Sequence, residues 1–360
     1  GEHLMLDLTR PELAINGGPR VREIGWKDNF TNDGSEKEAV LRVLETGYLS
    51  KFEGSFTPDP PFSFYGGPEV QGLEAEWCAY YGCKYAISVN SATSGLFAAV
   101  GALGLGYGDE VIVSPYTMSA CAIAPLIYGA IPVFSDVEES TGCMDPISIQ
   151  ERITDRTRAI LVVHQFGIPA NMDAIMALAK DNNLKVIEDC AQAHGAKYLD
   201  EWVGSIGDIG VFSLNVNKSI QTGEGGVCVT QDEDIAYRLA LIRNHGEAVV
   251  GPAEYSDTTN IAGFNYRLTE LQAAIGREQL KKLDKLNTHR IELVSRLAEQ
   301  VSRIPFLSPM AGRDGCVSTF YVFPMRYFEM RAGVSREAFV KAVNAEGGSL
   351  AQGYVRPLYT

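Results

Sequence analysis

Short apolar runs alternate with amphipathic stretches along much of the chain, beginning near residue 69. Runs rich in β-branched residues predict strands, and apolar residues spaced by three or four positions predict helices. The predicted helices cover residues 35–46, 69–81, a stretch ending near 103, and 172–182. The predicted strands cover residues 85–89, 110–113, 131–134, 159–163, 185–187 and 227–229. This alternation is typical of an α/β domain with a largely parallel sheet that is buried on both faces.

The pattern changes near residue 267. Residues 267–303 predict a long charged helical region, residues 319–326 a strand, and residues 336–346 a further helix. A smaller α+β domain is therefore expected after the large one. We divide the chain into an N-terminal arm (1–30), a large domain (31–265) and a small C-terminal domain (266–360). We expect the small domain to be truncated, because the chain stops without an obvious terminal helix.

One long segment has no periodicity. Residues 51–68 are rich in proline, glycine and phenylalanine. A loop of this length inside a compact domain is usually either functional or disordered. Two interpretations stay open for it, a flap over a site and a plain surface loop.

The composition limits the classes of partner. The 360 residues are 46% hydrophobic and 21% charged, and the net charge is −14. Because nucleic-acid phosphates bind clustered Lys and Arg, this charge argues against a nucleic-acid partner. No apolar stretch reaches the ~18 residues that a membrane span needs. The seven cysteines are scattered and form no C-x-x-C pair, which favours buried thiols in the reducing cytoplasm over disulfides or a zinc site.

Small and polar residues stand where predicted strands end, and ligands bind at the carboxyl ends of strands in open α/β sheets. Residues 90–95, Asn-Ser-Ala-Thr-Ser-Gly, lie between a strand and a helix whose first amides attract anions. The same Ser and Thr residues are also good helix caps. Asp189 follows an apolar strand, where its carboxylate either meets a cationic or donor partner or caps the next turn.

A lysine and a glycine-rich turn come later in the chain. Lys218 follows the apolar segment 211–214, in a run without another charge until Glu224. It is either partly desolvated, which would lower its pKa and make the amine a nucleophile, or an ordinary surface group. Residues 222–226, Thr-Gly-Glu-Gly-Gly, precede a strand and lack the G-x-G-x-x-G spacing. They predict a tight turn past a ligand and not a dinucleotide site.

Taken together, these segments resemble the DegT/DnrJ/EryC1/StrS sugar aminotransferases, which are pyridoxal-phosphate (PLP) enzymes of fold type I. The resemblance rests on five motifs in order: 90–95, Asp189-x-x-Gln192-x-x-Gly195, Ser213 with Lys218, 223–226, and 263–274. Residues 16–22, Asn-Gly-Gly-Pro-Arg-Val-Arg, are similar to the branch that acts on keto-cyclitols and aminobenzoate precursors. The resemblance covers the chain from about residue 14 to Pro357.

The resemblance implies a role for each matching residue. Lys218 would hold PLP as a Schiff base, and Asp189 would pair with the pyridine nitrogen. The other cofactor-binding residues that it implies are Ala92, Thr93 and Ser213 at the phosphate, Gln192 near the phenolic oxygen, and Asn265. Asn265 would reach the cofactor of a neighbouring subunit, so the resemblance implies a homodimer with shared active sites.

Two positions decide how closely the chain follows the family. Met118 stands where the family usually has an aromatic ring that stacks on PLP, so either its thioether or Tyr116 packs there. The family's dehydratases have histidine in place of the lysine, and this chain has Lys218. The resemblance therefore implies an aminotransferase that moves an amino group from glutamate or glutamine to a keto-sugar nucleotide or keto-cyclitol by a ping-pong reaction. A PLP-dependent dehydratase or eliminase and a non-catalytic PLP-binding protein are the alternatives.

Six further residues are candidates for contacts with the substrate. His164 ends a predicted strand and is either a pocket residue or a satisfied core histidine. The others lie beside the cofactor motifs or near the C-terminus: His194, Arg243, His245, Tyr354 and Arg356.

Overall fold

The computed structural model describes residues 5–28, 30–54, 62–246, 261–310 and 312–360. Part of the segment 51–68, namely residues 55–61, lies outside the described residues, so the two interpretations of that loop both stay open. The ends of the segment are held together, because Phe52 forms an isolated β-bridge with Ser63.

A central sheet organises the molecule, in the order β1-β9-β8-β5-β4-β2-β3. Its strands are β1 (Tyr85–Val89), β2 (Glu110–Val113), β3 (Ile131–Phe134), β4 (Thr157–Val163), β5 (Lys185–Asp189), β8 (Ile209–Ser213) and β9 (Gly226–Thr230). Strand β9 is antiparallel to both of its neighbours, and all other pairs are parallel. The carboxyl ends of the parallel strands therefore meet at one edge of the sheet, together with the start of β9. Two-stranded ribbons are formed by β6 (Lys197–Tyr198) with β7 (Glu201–Trp202) and by β10 (Leu307–Pro309) with β11 (Met325–Tyr327).

Helices cover both faces of the sheet and continue beyond it. They are α1 (Gly34–Thr46), α2 (Pro68–Tyr81), α3 (Ala92–Ala102), α4 (Ala120–Ile127), α5 (Pro146–Arg152), α6 (Met172–Asp181), α7 (Glu233–Arg243), α8 (Glu270–Leu280), α9 (Leu283–Val301), α10 (Glu329–Ala332) and α11 (Arg336–Ala345). The predicted helices at 35–46, 69–81, 172–182 and 336–346 are confirmed to within one residue at each end. None of the described helices combines the length and the apolar character that a membrane crossing requires.

The inner strands are largely apolar because both of their faces are buried. In β2, Val111 and Val113 pack in the layer that contains α3, α4 and α7. Ile112 lies between them in sequence and packs in the opposite layer with residues of α5 and α6. Successive side chains of a strand point to opposite faces, so a strand covered on both sides needs an unbroken apolar run. All seven cysteines are free thiols, as predicted, and five of them are buried.

Two C-terminal predictions need correction. The predicted strand 319–326 is wrong except at its end, since the structure has a strand only at Met325–Tyr327. Phe320 has φ +48°, which takes the backbone out of the extended region, and Pro324 has no N–H for a ladder bond. The predicted helical region 267–303 is two helices, α8 and α9, which are separated at 281–282.

A buried acid ties the strand ends to a neighbouring loop. Glu188 is fully buried and accepts hydrogen bonds from the amides of Gly204 (2.7 Å), Ile206 (2.9 Å) and Gly207 (2.6 Å). His164 is also fully buried, with Nε2 lying 2.8 Å from the Glu188 carboxylate. The Nδ1 atom of His164 accepts from a backbone amide at 3.1 Å, so Nε2 carries the proton and donates. His164 is therefore a satisfied core histidine and not a pocket residue.

Removal of this carboxylate should destabilise the fold strongly. In Glu188→Ala, three buried amides and His164 lose their acceptor, and buried polar groups without a partner are costly. We expect the free energy of unfolding to fall by about 3–5 kcal/mol in urea denaturation. Glu139→Ala is the matched control, because the Glu139 side chain is 79% exposed and its ion pair should contribute less than about 1 kcal/mol. Equal unfolding midpoints for the two variants would contradict this account of Glu188.

Candidate active site

The candidate residues meet at the carboxyl edge of the sheet because of strand register. Ser213, the last residue of β8, pairs with Gly226 at the start of β9. Gly226 in turn pairs with Val89, the last residue of β1. A Cβ atom on Gly226 would lie only 2.8 Å from the backbone nitrogen of Ala92. A glycine here therefore lets the start of α3 approach the strand ends closely.

The start of α3 presents donors to this edge. Ser91 caps the helix, since its hydroxyl accepts from the amide of Ser94 at 3.0 Å. The amides of Ala92 and Thr93 donate to no atom in the part of the chain that the structure describes. The segment can therefore be both a helix cap and an anion site. Ser91 accepts from one amide, and the amides of two further residues remain free to bind a ligand. Ser213, which is 5% exposed, adds a hydroxyl at the same edge.

Asp189 is a buried carboxylate at the end of β5. One of its oxygens accepts from the amide of Ala191 at 2.9 Å, which is the turn-capping contact expected from the sequence. The other accepts from the thiol of Cys121 at 3.1 Å. Burial raises the pKa of Cys121, with the Asp189 charge as the next cause, so the thiol stays protonated and donates. Both oxygens are held in place, and the side chain is 6% exposed.

Lys218 is the amine of the site. Burial lowers its pKa, and the charge of Asp189 raises it. The Nζ atom lies 4.3 Å from the centroid of the Tyr321 ring, and no carboxylate of the described residues forms an ion pair with it. His194 is fully buried beside Trp77, and burial together with the Lys218 charge lowers its pKa to about 3, so the imidazole is neutral.

Gln192 connects the strand ends to the C-terminal part of the chain. Its Oε1 atom accepts from the amide of Phe166 at 2.8 Å, and its Nε2 atom lies 3.1 Å from the hydroxyl of Tyr354. Burial raises the pKa of Tyr354, so the phenol is neutral in the physiological range. The structure thus brings Tyr354, a candidate from the sequence, into the site.

Three predicted positions are exposed or only partly buried. Met118 is 55% exposed, whereas the ring of Tyr116 packs edge-on against Phe166 at a centroid distance of 6.0 Å. Asn265 is exposed, and its side-chain oxygen accepts from Arg267 Nε at 2.9 Å. Its carbonyl accepts from the side chain of Asn90, so it lies near the start of α3 in its own chain.

Other candidates belong to the framework or the surface. Arg243 is fully buried and forms an ion pair with Glu74 at 2.5 Å, so it is a core residue. His245 is held in the left-handed region with φ +51°, and Arg356 is exposed. Cys121 and Tyr321 were not predicted from the sequence. The Cys121 thiol lies inside an apolar helix, and no local signal connects it to Asp189.

The donor set fits PLP. A partly desolvated amine, a fixed carboxylate on a neighbouring strand, and two free helix amides beside a serine hydroxyl match its aldehyde, its pyridine nitrogen and its phosphate in chemical type. The fold and the site together define a PLP-dependent enzyme of fold type I.

Comparison with known proteins identifies the family. The model of the DegT/DnrJ/EryC1/StrS aminotransferase family matches residues 62–360. The spore coat polysaccharide biosynthesis protein SpsC of Bacillus subtilis (strain 168) is 36% identical over 318 residues, which cover 86% of this chain and 78% of that protein. The chain belongs to this family of PLP-dependent aminotransferases.

Two solved structures show the range of chemistry among the neighbours. The aminotransferase from Psychrobacter cryohalolentis is 35% identical, with a TM-score of 0.70 over 84% of this chain and 76% of its own. A GDP-4-keto-6-deoxymannose-3-dehydratase with trapped PLP-glutamate is 26% identical, with a TM-score of 0.78 over 90% of this chain and 84% of its own. The neighbours therefore include both aminotransferases and a dehydratase.

Proposed function

We propose that this enzyme transfers an amino group from glutamate or glutamine to a keto-sugar nucleotide or a keto-cyclitol by ping-pong chemistry. The observation that carries the proposal is the half-buried amine of Lys218 beside the buried carboxylate of Asp189. Support for a sugar acceptor comes from the names of two relatives, a polysaccharide biosynthesis protein and a sugar dehydratase. Dehydration is the second candidate function, because one neighbour is a dehydratase.

Each residue of the site would have its own role in the proposed reaction. Bound PLP supplies an electron sink for the carbanion that forms when a proton leaves the substrate. Asp189 lies at the end of β5 and would pair with the pyridine nitrogen and keep it protonated. Lys218 would hold the cofactor covalently and, once free, move a proton between substrate and cofactor carbon atoms. The amides of Ala92 and Thr93 would anchor the phosphate with the Ser213 hydroxyl.

Burial favours this use of Lys218. A lysine must be neutral to accept a proton, and burial lowers its pKa from the ordinary value of 10.5. The neutral fraction at a given pH is thereby larger than that of an exposed lysine. The charge of Asp189 acts against burial and raises the pKa of Lys218.

The proposal includes a homodimer with shared active sites in the cytoplasm. Asn265 is exposed and near the start of α3, a position from which it can face a second copy of the chain. Exposed apolar side chains of α4 offer a surface for such a contact: Ile123, Leu126 and Ile127. Within each chain, the large domain (31–265) would supply the amine and the carboxylate, and the small domain (266–360) would supply Tyr321 and Tyr354.

An isotope experiment tests the proposed function. The PLP-loaded enzyme is incubated with ¹⁵N-glutamate, or with glutamine labelled at its α-amino nitrogen, and with a panel of keto-sugar nucleotides and inososes. We expect release of the 2-oxo acid and a product that carries ¹⁵N, detected by mass spectrometry. A product that has lost a hydroxyl oxygen without gaining ¹⁵N would establish the dehydratase instead. Retained PLP with no turnover of either donor would favour a non-catalytic PLP-binding protein.

A further inference from the structure

The amine of Lys218 rests on an aromatic ring. Its Nζ atom lies 4.3 Å from the centroid of the Tyr321 ring, within the distance at which a cation is attracted to the face of an aromatic ring. Tyr321 comes from the C-terminal part of the chain, about a hundred residues after Lys218. Neither local sequence nor the sheet explains why these two side chains meet.

The backbone around Tyr321 is held by unusual local geometry. Its amide donates to the carbonyl of Phe166 at 2.8 Å, and the amide of Thr319 donates to the carbonyl of Gly167 at 3.0 Å. Phe166 has φ +60° and Phe320 has φ +48°, a region that bulky residues rarely adopt. Strained residues that persist in pairs at one place are commonly found at functional sites.

The strained residue Phe166 is also hydrogen-bonded to a predicted cofactor-binding residue. The amide of Phe166 donates to Gln192, which follows Asp189 by three residues. The rings of Phe166 and Tyr321 both meet the ring of Tyr354 edge-on, at centroid distances of 5.5 and 6.4 Å. The position of Tyr321 is therefore set by the residues that surround the site.

We propose that Tyr321 is a positioning residue for Lys218, whose ring face holds the ε-amino group in place while the amine is not bonded to the cofactor. This inference rests on the proposed role of Lys218. A carboxylate partner would bind the ammonium form strongly and block the lone pair. An aromatic face attracts the ammonium form and also packs against the neutral amine, so it holds Lys218 without removing its basicity.

Other charged and titratable groups lie around Lys218, Ser219 and Tyr321. Asp189 on β5 favours the ammonium form, whereas the neutral ring of His194 leaves the charge unchanged. Arg290 on α9 bonds to Ser219 at 2.5 Å, next to Lys218 in sequence, and places a further positive charge nearby. Tyr354 is neutral. The variants that test Tyr321 leave all of these groups in place.

Two substitutions separate the ring from its hydroxyl. Tyr321→Phe keeps the ring, and Tyr321→Leu replaces it with an apolar side chain that cannot bind a cation. In cofactor-free protein, the pH dependence of acylation at Lys218 is followed by peptide mass spectrometry, with exposed Lys281 as the internal reference. We expect the midpoint for Lys218 to fall by about 0.5–1 pH unit in Tyr321→Leu and to stay at the wild-type value in Tyr321→Phe.

The half-reaction of the loaded enzyme provides the second measurement. Tyr321→Leu should lower the rate of the glutamate half-reaction about 10- to 100-fold with little change in the KM for glutamate, because the amine is misplaced. Tyr321→Phe should recover most of the wild-type rate. An equal loss of the half-reaction rate in Tyr321→Phe and Tyr321→Leu would overturn the inference. So would a wild-type rate together with an unchanged midpoint of Lys218 acylation in Tyr321→Leu. If Tyr321→Leu does not fold, Tyr321→Met takes its place.

A third result separates this inference from the proposed function. Borohydride reduction of the loaded wild-type enzyme should attach the cofactor to Lys218. Absence of that label would refute the proposed function itself. A label at Lys218 combined with wild-type behaviour of Tyr321→Leu would refute only the role of Tyr321.

Discussion

Lys218→Ala should bind PLP without a covalent bond and should lose transamination. The loss of proton transfer alone is expected to lower the rate of the glutamate half-reaction by about 10²- to 10⁴-fold. The physical reason is that Lys218 is the amine at the carboxyl edge of the sheet whose pKa burial lowers. The measurement is single-turnover release of 2-oxoglutarate from glutamate, together with borohydride reduction and peptide mapping.

Lys197→Ala is the matched control for this substitution. Lys197 also lies over an aromatic ring, with Nζ 4.1 Å from the centroid of Trp202, but it belongs to the ribbon of β6 and β7 and not to the site. The control should keep the label at Lys218 and the wild-type half-reaction. The proposed mechanism would be refuted by full activity in Lys218→Ala. It would also be refuted if borohydride reduction of the wild-type enzyme attached the cofactor to a lysine other than Lys218.

The pH dependence of the half-reaction follows from the direction of the pKa shift. The base form of Lys218 is the neutral amine, so the step that it carries should become faster as the pH rises through its pKa. Because burial lowers that pKa, the rise should begin at a lower pH than an exposed lysine would give. Small polar amines added to Lys218→Ala should restore part of the rate with the pH dependence of the added amine.

Most of the sheet could be predicted from local pattern. The strands at 85–89, 110–113 and 131–134 have the predicted bounds, and strand β5 continues two residues beyond its predicted end. The signal is strong in β1 and β2 because their side chains are buried on both faces, so that they are mostly apolar and polar residues stand mainly at or next to the strand ends. Strand β3 lies at the edge of the sheet and is apolar although none of its residues is buried. The same logic placed Asp189 at the end of β5.

The side chains that complete the site could not be predicted in the same way. Cys121 and Tyr321 reach Asp189 and Lys218 through long-range packing, and their own neighbours in sequence are apolar. The sequence around Tyr321, within residues 319–326, predicts a strand. Its backbone instead follows the carbonyls of Phe166 and Gly167, and no pattern of period two reveals such a pairing.

Asp189→Asn should preserve the geometry of the site and remove its charge. The amide oxygen can still accept from Ala191 or from Cys121, whereas the carboxylate that would keep the pyridine nitrogen protonated is lost. We expect the glutamate half-reaction to slow by about 10²- to 10³-fold, the range found when one preorganised electrostatic partner is removed. The variant should still bind PLP and should still form the bond to Lys218.

A cofactor-independent measurement checks the same substitution. The charge of Asp189 raises the pKa of Lys218, so its removal should lower the pH midpoint of Lys218 acylation in cofactor-free protein. Asp208→Asn is the control, since Asp208 pairs with Lys185 at 2.8 Å at the opposite end of β5. It should shift neither the midpoint nor the half-reaction. If Asp189→Asn turned over glutamate at the wild-type rate, the carboxylate would have no part in holding the ring nitrogen protonated, and burial of an acid at the end of β5 would need a different explanation.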